Sequence, residues 1–279
     1  MDKLFLGVGA MKSGTTWLYR QLEQHPQIHF SPEKELHFLA WRAGHRNNLG
    51  LRYRLSRLAA ARGRAKARDG GLRGAELRWY LDYLLTPRTW DWYQRRFGSV
   101  PGGCYPADFS NLTALLREPD WSRLAASVSD LRVLYVLRDP LDRIWSHLRA
   151  HYSSETARQT LARMSRYQPD GRLAEHDLVL HSRYGENLGR MLSVLPRERV
   201  RVVFYDQIER EPTRLLREIE QFLDIPSHDY LQEKLGRRIN ASDSLTRPEW
   251  VREHFLPLLA DDLEALAGHG IEVPGTWCR

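Results

Sequence analysis

The segment GAMKSGTTWL, residues 9–18, has the residue types of a phosphate-binding loop. Gly9 and Gly14 enclose four residues, as in the loop of nucleotide triphosphatases, but a threonine stands where that loop has its lysine. Lys12 lies inside the loop instead. Backbone N–H groups converge on an anion where a strand leads into a helix, and the helix dipole adds positive charge. We therefore predict a site for a phosphate-like group, with Lys12 as its mobile charge. Three hydroxyl side chains can add donors: Ser13, Thr15 and Thr16.

A second candidate anion site lies in YVLRDPLDRIWSHL, residues 135–148. Arg138 follows a predicted strand at 132–137, and Ser146 lies eight residues further along the chain. Ligands of doubly wound sheets bind at the carboxyl ends of the strands, so Arg138 should open on the same side as the first loop. A guanidinium and a hydroxyl group make a good phosphate clamp. Spacing alone equally allows a surface salt bridge from Arg138 to Asp139 or Asp142.

Together the two sites resemble those of the sulfotransferases that use 3′-phosphoadenosine 5′-phosphosulfate (PAPS). The first motif is similar to their 5′-phosphosulfate loop, and the second is similar to their 3′-phosphate site. The resemblance covers most of the chain and implies PAPS as the donor, with 3′-phosphoadenosine 5′-phosphate (PAP) as its product. It places Lys12 at the bridging oxygen, where negative charge grows, and implies no metal ion. The implied donor-binding loop consists of Lys12, Ser13, Gly14, Thr15, Thr16 and Trp17.

The segment SPEKELHFLAW, residues 31–41, supplies a candidate acceptor side. Glu35 and His37 are two residues apart, so they would face the same side of an extended segment. Carbohydrate-type sulfotransferases show a similar Glu-x-His-Phe run, which implies that Glu35 is the base and that His37 orients the acceptor or shares the role. Steroid- and phenol-type enzymes use a histidine base, so His37 is the alternative. Without the two anion sites, both residues would be taken as surface residues of a loop.

Two further segments bear on the acceptor. In several carbohydrate enzymes an acidic residue follows three positions after the histidine, whereas this chain has Ala40, which leaves the binding mode of the acceptor open. The segment YPADFSNL resembles a family segment near the acceptor and implies a substrate contact for Asp108. The lysine that some members carry before it is absent, and Cys104 stands at about that place.

Two segments resemble the parts of the family that hold the nucleoside end of the donor. HSRYGENLGRML resembles the helix whose tyrosine packs near adenine, which implies that role for Tyr184. An amphipathic helix also buries tyrosine in the core, so Tyr184 fits both roles. KLGRRINAS resembles the late basic loop at the 3′-phosphate, with Arg237 and Arg238 as candidates. Either arginine could instead be solvated.

These motifs require a scaffold in which strands alternate with helices, the pattern of a parallel sheet with crossover helices. We predict a single α/β domain over residues 1–279, with a P-loop-like central parallel sheet and helices on both faces. Apolar runs predict strands at 4–8, 132–137 and 200–205. Periodic apolar residues, prolines and caps predict helices at 15–24, 181–195, 212–223 and 248–267.

The net charge of +7 is concentrated in one segment. Residues 42–73 contain ten Lys or Arg and one Asp, and they interrupt the alternation of strands and helices. We expect a helical insertion, about residues 42–87, that lines or covers the acceptor site and receives an anionic acceptor. A solvated helix face would have the same composition.

The 279 residues, 42% of them hydrophobic, can bury a self-sufficient core. Two cysteines, Cys104 and Cys278, indicate free thiols in a reducing compartment. The sequence shows no signal peptide or membrane span, and we expect a bacterial cytoplasmic enzyme. Its expected partner is a small-molecule or glycan acceptor rather than nucleic acid, and the oligomeric state is not predicted.

The predicted reaction is transfer of a sulfuryl group from PAPS to a hydroxyl of a carbohydrate or small metabolite. Two alternatives stay open on the sequence. A small-molecule kinase would use the phosphate-binding loop with Asp206, at the end of the third predicted strand, holding Mg²⁺. A non-enzymatic protein would bind polyanions through the basic residues of 42–73.

Overall fold

The computed structural model describes residues 1–45, 49–152, 175–231, 235 and 246–278, with the backbone alone at 68–69 and 175–176. Five parallel strands form one sheet in the order β2-β3-β1-β4-β5. The strands are β1 (Lys3–Gly9), β2 (Ile28–Phe30), β3 (Tyr105–Asp108), β4 (Asp130–Leu137) and β5 (Val200–Phe204). The sheet confirms the predicted α/β class. β2 and β3 add two strands that the sequence analysis did not predict.

Helices connect and cover the strands, as crossover connections between parallel strands require. Those before β4 are α1 (Thr15–Leu22), α2 (Phe38–Arg42), α3 (Leu51–Asp69), α4 (Gly74–Leu85), α5 (Trp90–Arg95) and α6 (Glu118–Ser127). Those after β4 are α7 (Pro140–Arg149), α8 (Glu175–Leu180), α9 (Tyr184–Leu192), α10 (Tyr205–Arg210), α11 (Pro212–Leu223) and α12 (Glu249–Gly268). Within the described ranges, none of these helices is long and apolar enough to span a membrane.

Alternate side chains of β1 enter two separate apolar cores, because successive residues of a strand point to opposite faces. Leu4 and Leu6 pack in one core, with residues of α6 and α9. Phe5 packs in the other, with residues of α1 and α11. All three side chains are fully buried. The sheet therefore has helices on both faces, as predicted.

The boundaries of one predicted helix needed correction. The helix predicted at 181–195 begins only at Tyr184 and ends at Leu192, because Ser182 lies in a turn where its Oγ accepts a bond from Arg143. The predicted insertion at about 42–87 contains the helices α3 and α4, which pack against each other as a hairpin, and α3 carries most of the basic segment. Gly70, at φ 77°, ends α3 in the left-handed conformation that glycine adopts readily.

Candidate active site

The loop between β1 and α1 exposes backbone donors at its base. Gly14 precedes α1 at φ 85°, and no side chain caps the helix. The backbone N–H groups of Gly14, Thr15 and Thr16 have no acceptor within the part of the chain that the structure describes. A Cβ at Gly14 would lie 2.6 Å from Cδ1 of Ile208, so both the conformation and the packing require glycine. The uncapped helix start offers these N–H groups to an anion.

Arg138 joins this loop from the end of β4. Its Nη1 donates to the Lys12 carbonyl oxygen at 3.1 Å, and its guanidinium lies 4.5 Å from the ring centre of Tyr205. Tyr184 Oη donates to the Arg138 carbonyl oxygen at 2.8 Å. Lys12 and Arg138 therefore lie at the same edge of the sheet, as the parallel topology predicts.

Positive charges accumulate around Lys12. Burial lowers the pKa of Lys12, and the charges of Arg138 and Arg143 lower it further, whereas Glu35 opposes them. Arg143 is fully buried, and its Nε donates to Ser182 Oγ at 2.6 Å. Its Nη1 finds no partner among the described residues. Several cations near one loop make an environment that favours an anionic ligand.

The Glu35 carboxylate is linked to the donor loop, residues 12–17, by the side chain of the neighbouring lysine. Lys34 Nζ donates to Thr16 Oγ1 at 3.2 Å and to Glu35 Oε1 at 2.9 Å. Asn111 Nδ2 also donates to Glu35 Oε1, at 3.2 Å. The carboxylate is partly exposed, so it can still meet a further group.

The prediction that Glu35 and His37 lie in an extended segment is wrong. Both are left-handed, at φ 64° and 54°, and His37 Nε2 nevertheless lies 3.7 Å from Glu35 Oε2. Lys12 is also left-handed, at φ 69°. The three residues proposed for chemistry thus share a conformation that is uncommon for non-glycine residues.

His37 is buried and neutral near neutral pH. Burial lowers its pKa to about 4, and the opposing charge of Glu35 is too weak to restore it. Its backbone N–H donates to Ser110 Oγ at 3.0 Å. Its Nδ1 has no hydrogen-bond partner in the described ranges.

Asp108 supports the loop that carries Glu35 and His37 through buried hydrogen bonds. Its carboxylate is buried and accepts bonds from Ser110 Oγ at 2.6 Å, from Tyr93 Oη at 3.1 Å and from the backbone of Leu36. Burial raises the pKa of Asp108 to about 6, against the effect of these donors. The contact between Asp108 and an acceptor stays a prediction, since the carboxylate here supports the loop that carries His37.

The structure describes only some of the residues predicted to bind the nucleoside end of the donor. The ring of Tyr184 is fully buried, with ring centres 6.0 Å from Tyr135 and 6.1 Å from Trp277, so adenine packing on Tyr184 stays a prediction. Ser146 is half-buried on α7, the helix that follows Arg138. Arg237 and Arg238 lie outside the described residues.

The two carboxylates that could have formed a surface salt bridge with Arg138 have other partners in the structure. Asp139 caps α7 by accepting from the backbone of Leu141 and Asp142. Arg247 pairs with both carboxylates, at 3.2 Å from Asp139 Oδ1 and 3.0 Å from Asp142 Oδ1. Arg138 instead donates to the donor loop.

Sequence reasoning missed several residues that complete the site: Lys34, Asn111, Arg143 and Tyr205. Lys34 adjoins the predicted base, and Asn111 belongs to the YPADFSNL segment, so the sequence did carry a signal for both. Arg143 lies within the motif at 135–148, where the sequence analysis considered only Arg138 and Ser146. Tyr205 reaches the site through the position of α10, for which the sequence analysis had no signal.

The sequence matches the profile of the Sulfotransferase family over residues 5–229, and the chain belongs to that family. A comparison with curated proteins gives no significant match. The fold is similar to a sulfotransferase from Alicyclobacillus acidocaldarius, at 24% identity and TM-score 0.68 over the full length of both chains. It is also similar to the sulfotransferase domain from the curacin biosynthetic pathway, at 19% identity and TM-score 0.59, covering 98% of this chain and 99% of that one. A third similar structure is the sulfotransferase domain of the Synechococcus PCC 7002 olefin synthase, at 17% identity and TM-score 0.56, covering 98% and 95%.

Proposed function

We propose that the protein transfers the sulfuryl group of PAPS to a hydroxyl of a carbohydrate or small-molecule acceptor. The observation that carries this proposal is the position of three charged groups at one edge of the sheet. Lys12 and Arg138 meet through the Lys12 carbonyl, and Glu35 is linked to the same loop through Lys34 and Thr16. Membership of the Sulfotransferase family supports sulfuryl transfer in general.

The donor loop suits a phosphosulfate group because it combines backbone donors at the start of α1 with a lysine in the same loop. The N–H groups of Gly14, Thr15 and Thr16, which have no acceptor among the described residues, would bind the 5′-phosphosulfate, with Ser13 and Trp17 shaping the loop. Arg138 and Ser146, with Arg237 or Arg238, would bind the 3′-phosphate. Tyr184 would hold Arg138 in place for this role, because its hydroxyl donates to the Arg138 backbone carbonyl.

In the reaction, the acceptor oxygen forms a bond to sulfur while the bond from sulfur to the bridging phosphate oxygen breaks. Lys12 stabilises the negative charge that grows on this leaving oxygen. Glu35 takes the proton of the acceptor hydroxyl. His37 would orient that hydroxyl, since its Nε2 lies 3.7 Å from the Glu35 carboxylate.

The acceptor class rests on the basic insertion. Residues 42–73 contain ten Lys or Arg and one Asp, and we propose that this basic segment receives an anionic acceptor. A reducing, cytoplasmic location belongs to the same proposal, since Cys104 and Cys278 are free thiols.

Donor binding is tested by calorimetric titration with PAP and with ATP, for the wild type, Lys12→Ala and the control Lys3→Ala. Lys3 donates to the Gly103 carbonyl, away from the donor loop. We expect PAP to bind in preference to ATP, and Lys12→Ala to weaken PAP binding about ten- to a hundredfold, as for a lost bond to a charged group. Lys3→Ala should bind PAP as the wild type does.

Transfer itself is tested by an acceptor screen with labelled PAPS, read by mass for an added sulfonate. Transfer that persists with a chelator excludes the metal-dependent kinase. Preference for ATP would support that kinase instead. Polyanion binding without any PAP binding would support the non-enzymatic alternative.

A further inference from the structure

The loop that carries Glu35, residues 33–37, is attached to the hairpin of α3 and α4 through the buried carboxylate of Glu33. The Glu33 side chain is 2% exposed and accepts bonds from three side chains of α3 and α4. Oε2 accepts from Arg57 Nε at 2.6 Å. Oε1 accepts from Arg64 Nη2 at 2.9 Å and from Tyr80 Oη at 2.5 Å. A buried carboxylate with this many donors is held firmly in one place.

These contacts change the role of part of the basic segment. Arg57 and Arg64 are committed to Glu33, so they are not free cations for an acceptor. Arg54 is buried, and its Nη1 donates to the carbonyl oxygens of Tyr83 and Leu84, at 2.9 Å and 2.6 Å. The arginines on this side of α3 thus assemble the hairpin and join it to the loop.

The loop has a second buried attachment on the other side of Glu35. Asp108 accepts from the Leu36 backbone, and Ser110 accepts from the His37 backbone. Glu35 therefore lies between two fixed points, two residues from Glu33 and one from Leu36. Because two residues span at most about 7 Å of chain, a shift at Glu33 is transmitted directly to Glu35.

A residue of α3 contacts this loop once more. Tyr53 Oη lies 3.4 Å from the Glu35 carbonyl oxygen, in hydrogen-bond contact, and its ring centre is 5.9 Å from that of His37. The hairpin thus contacts the loop at the side chain of Glu33 and at the backbone of Glu35. The left-handed conformation of Glu35 needs such support from its surroundings.

We propose that Glu33 is a positioning residue through which the α3–α4 hairpin holds Glu35 against the donor loop. This inference rests on the proposed function, in which Glu35 is the base. It predicts that loss of the Glu33 carboxylate lowers kcat and leaves the donor site intact, because Lys12 and Arg138 are held by other contacts.

The principal variant is Glu33→Gln, which keeps the size of the side chain and removes its charge. The matched control is Glu23→Gln, since Glu23 pairs with Arg20 on the exposed side of α1. The amount of competent enzyme is fixed by the stoichiometry of PAP binding, so a fraction that fails to fold is not counted. Per PAP site, we expect Glu33→Gln to lower kcat about ten- to a hundredfold with an unchanged KM for PAPS. Glu23→Gln should match the wild type.

A second variant, Tyr80→Phe, keeps the ion pairs and removes one donor, so it covers the case in which Glu33→Gln does not fold. We expect a smaller fall in kcat, again with an unchanged KM for PAPS. Hydrogen exchange at residues 34–37 supplies a readout that is independent of activity. Protection there should fall in both variants and persist in Glu23→Gln.

The outcomes separate the two proposals. A wild type that neither binds PAP nor transfers sulfonate refutes the proposed function, and hydrogen exchange then still decides whether Glu33 holds the loop. An active wild type whose two variants keep kcat per PAP site within about twofold overturns the role of Glu33 alone. A parallel rise in the KM for PAPS would also overturn it, because the effect would then not be confined to the base.

Discussion

The buried carboxylate of Asp108 should make the stability of the protein depend on pH in a way that one substitution removes. Asp108 is 3% exposed and lies behind the loop of Leu36 and His37, where it accepts bonds from Ser110 and Tyr93. Asp108→Asn keeps the shape of the side chain and removes its titration. The difference in the free energy of unfolding between the wild type and this variant then isolates the contribution of one carboxyl group.

Burial raises the pKa of Asp108 from 3.8 to about 6 in the folded protein. The folded state therefore binds a proton more tightly than the unfolded state does. Below about pH 3 both states are largely protonated, and above about pH 7 both are largely ionised. Between these limits the wild type loses stability as the pH rises, and this displacement of the pKa corresponds to about 3 kcal/mol in total.

The assay is urea denaturation of the wild type and Asp108→Asn at several pH values from 4 to 7.5. Any constant difference caused by the amide is disregarded, because only the pH-dependent part reports the carboxyl group. We expect Asp108→Asn to gain about 2 kcal/mol relative to the wild type across this range. A control variant, Asp91→Asn at an exposed position, measures the effect of replacing a surface carboxylate by an amide. A difference that stays flat, or that changes in the opposite direction, would show that burial does not dominate at Asp108.

Two further predictions concern the donor loop and the base. Gly14→Ala should destabilise the protein by about 2 kcal/mol, because alanine disfavours φ 85° and its Cβ would press on Ile208, and urea denaturation measures this. Calorimetry should show weaker PAP binding by the same variant, and wild-type stability and affinity would contradict the proposed need for glycine. Glu35→Gln should lower kcat about a hundred- to ten-thousandfold, as for a lost general base, and His37→Gln should lower it less. Initial rates of both variants, measured from pH 5 to 9, decide which residue is the base. A larger fall in kcat for His37→Gln than for Glu35→Gln would make His37 the base.

The sequence predicted those parts of the fold and site that depend on short stretches of chain. The loop around Lys12 and the turn after Arg138 each join a strand to a helix within a few residues, so the spacing indicates the geometry. β3 could not be placed in the same way, because it lies between β2 and β1 through contacts across a long separation in sequence. Its short length also gives little periodicity.

The conformation of the base loop was outside the reach of sequence periodicity. An extended segment would place Glu35 and His37 on one side by alternation, whereas the structure brings them together through two left-handed residues. That conformation depends on buried partners far along the chain, Asp108 and Ser110, and on the hairpin partners of Glu33. The arginines of the basic segment were interpreted only as exposed charge, because composition does not reveal which of them meet a buried carboxylate.

The charges of the candidate site suit the proposed donor, which is anionic at both its 5′-phosphosulfate and its 3′-phosphate end. Lys12, Arg138 and Arg143 repel one another, since the charges of both arginines lower the pKa of Lys12. An anion among them would relieve this repulsion without moving the groups, because backbone and tyrosine contacts already fix Arg138. Glu35 is the acidic residue that opposes these charges at Lys12. Its own loop is held by the partners of Glu33 and by Asp108 and Ser110. Lys34 donates to both Thr16 and Glu35 and so links the donor site to the base, which is why a substitution on either side needs PAP binding and kcat measured together.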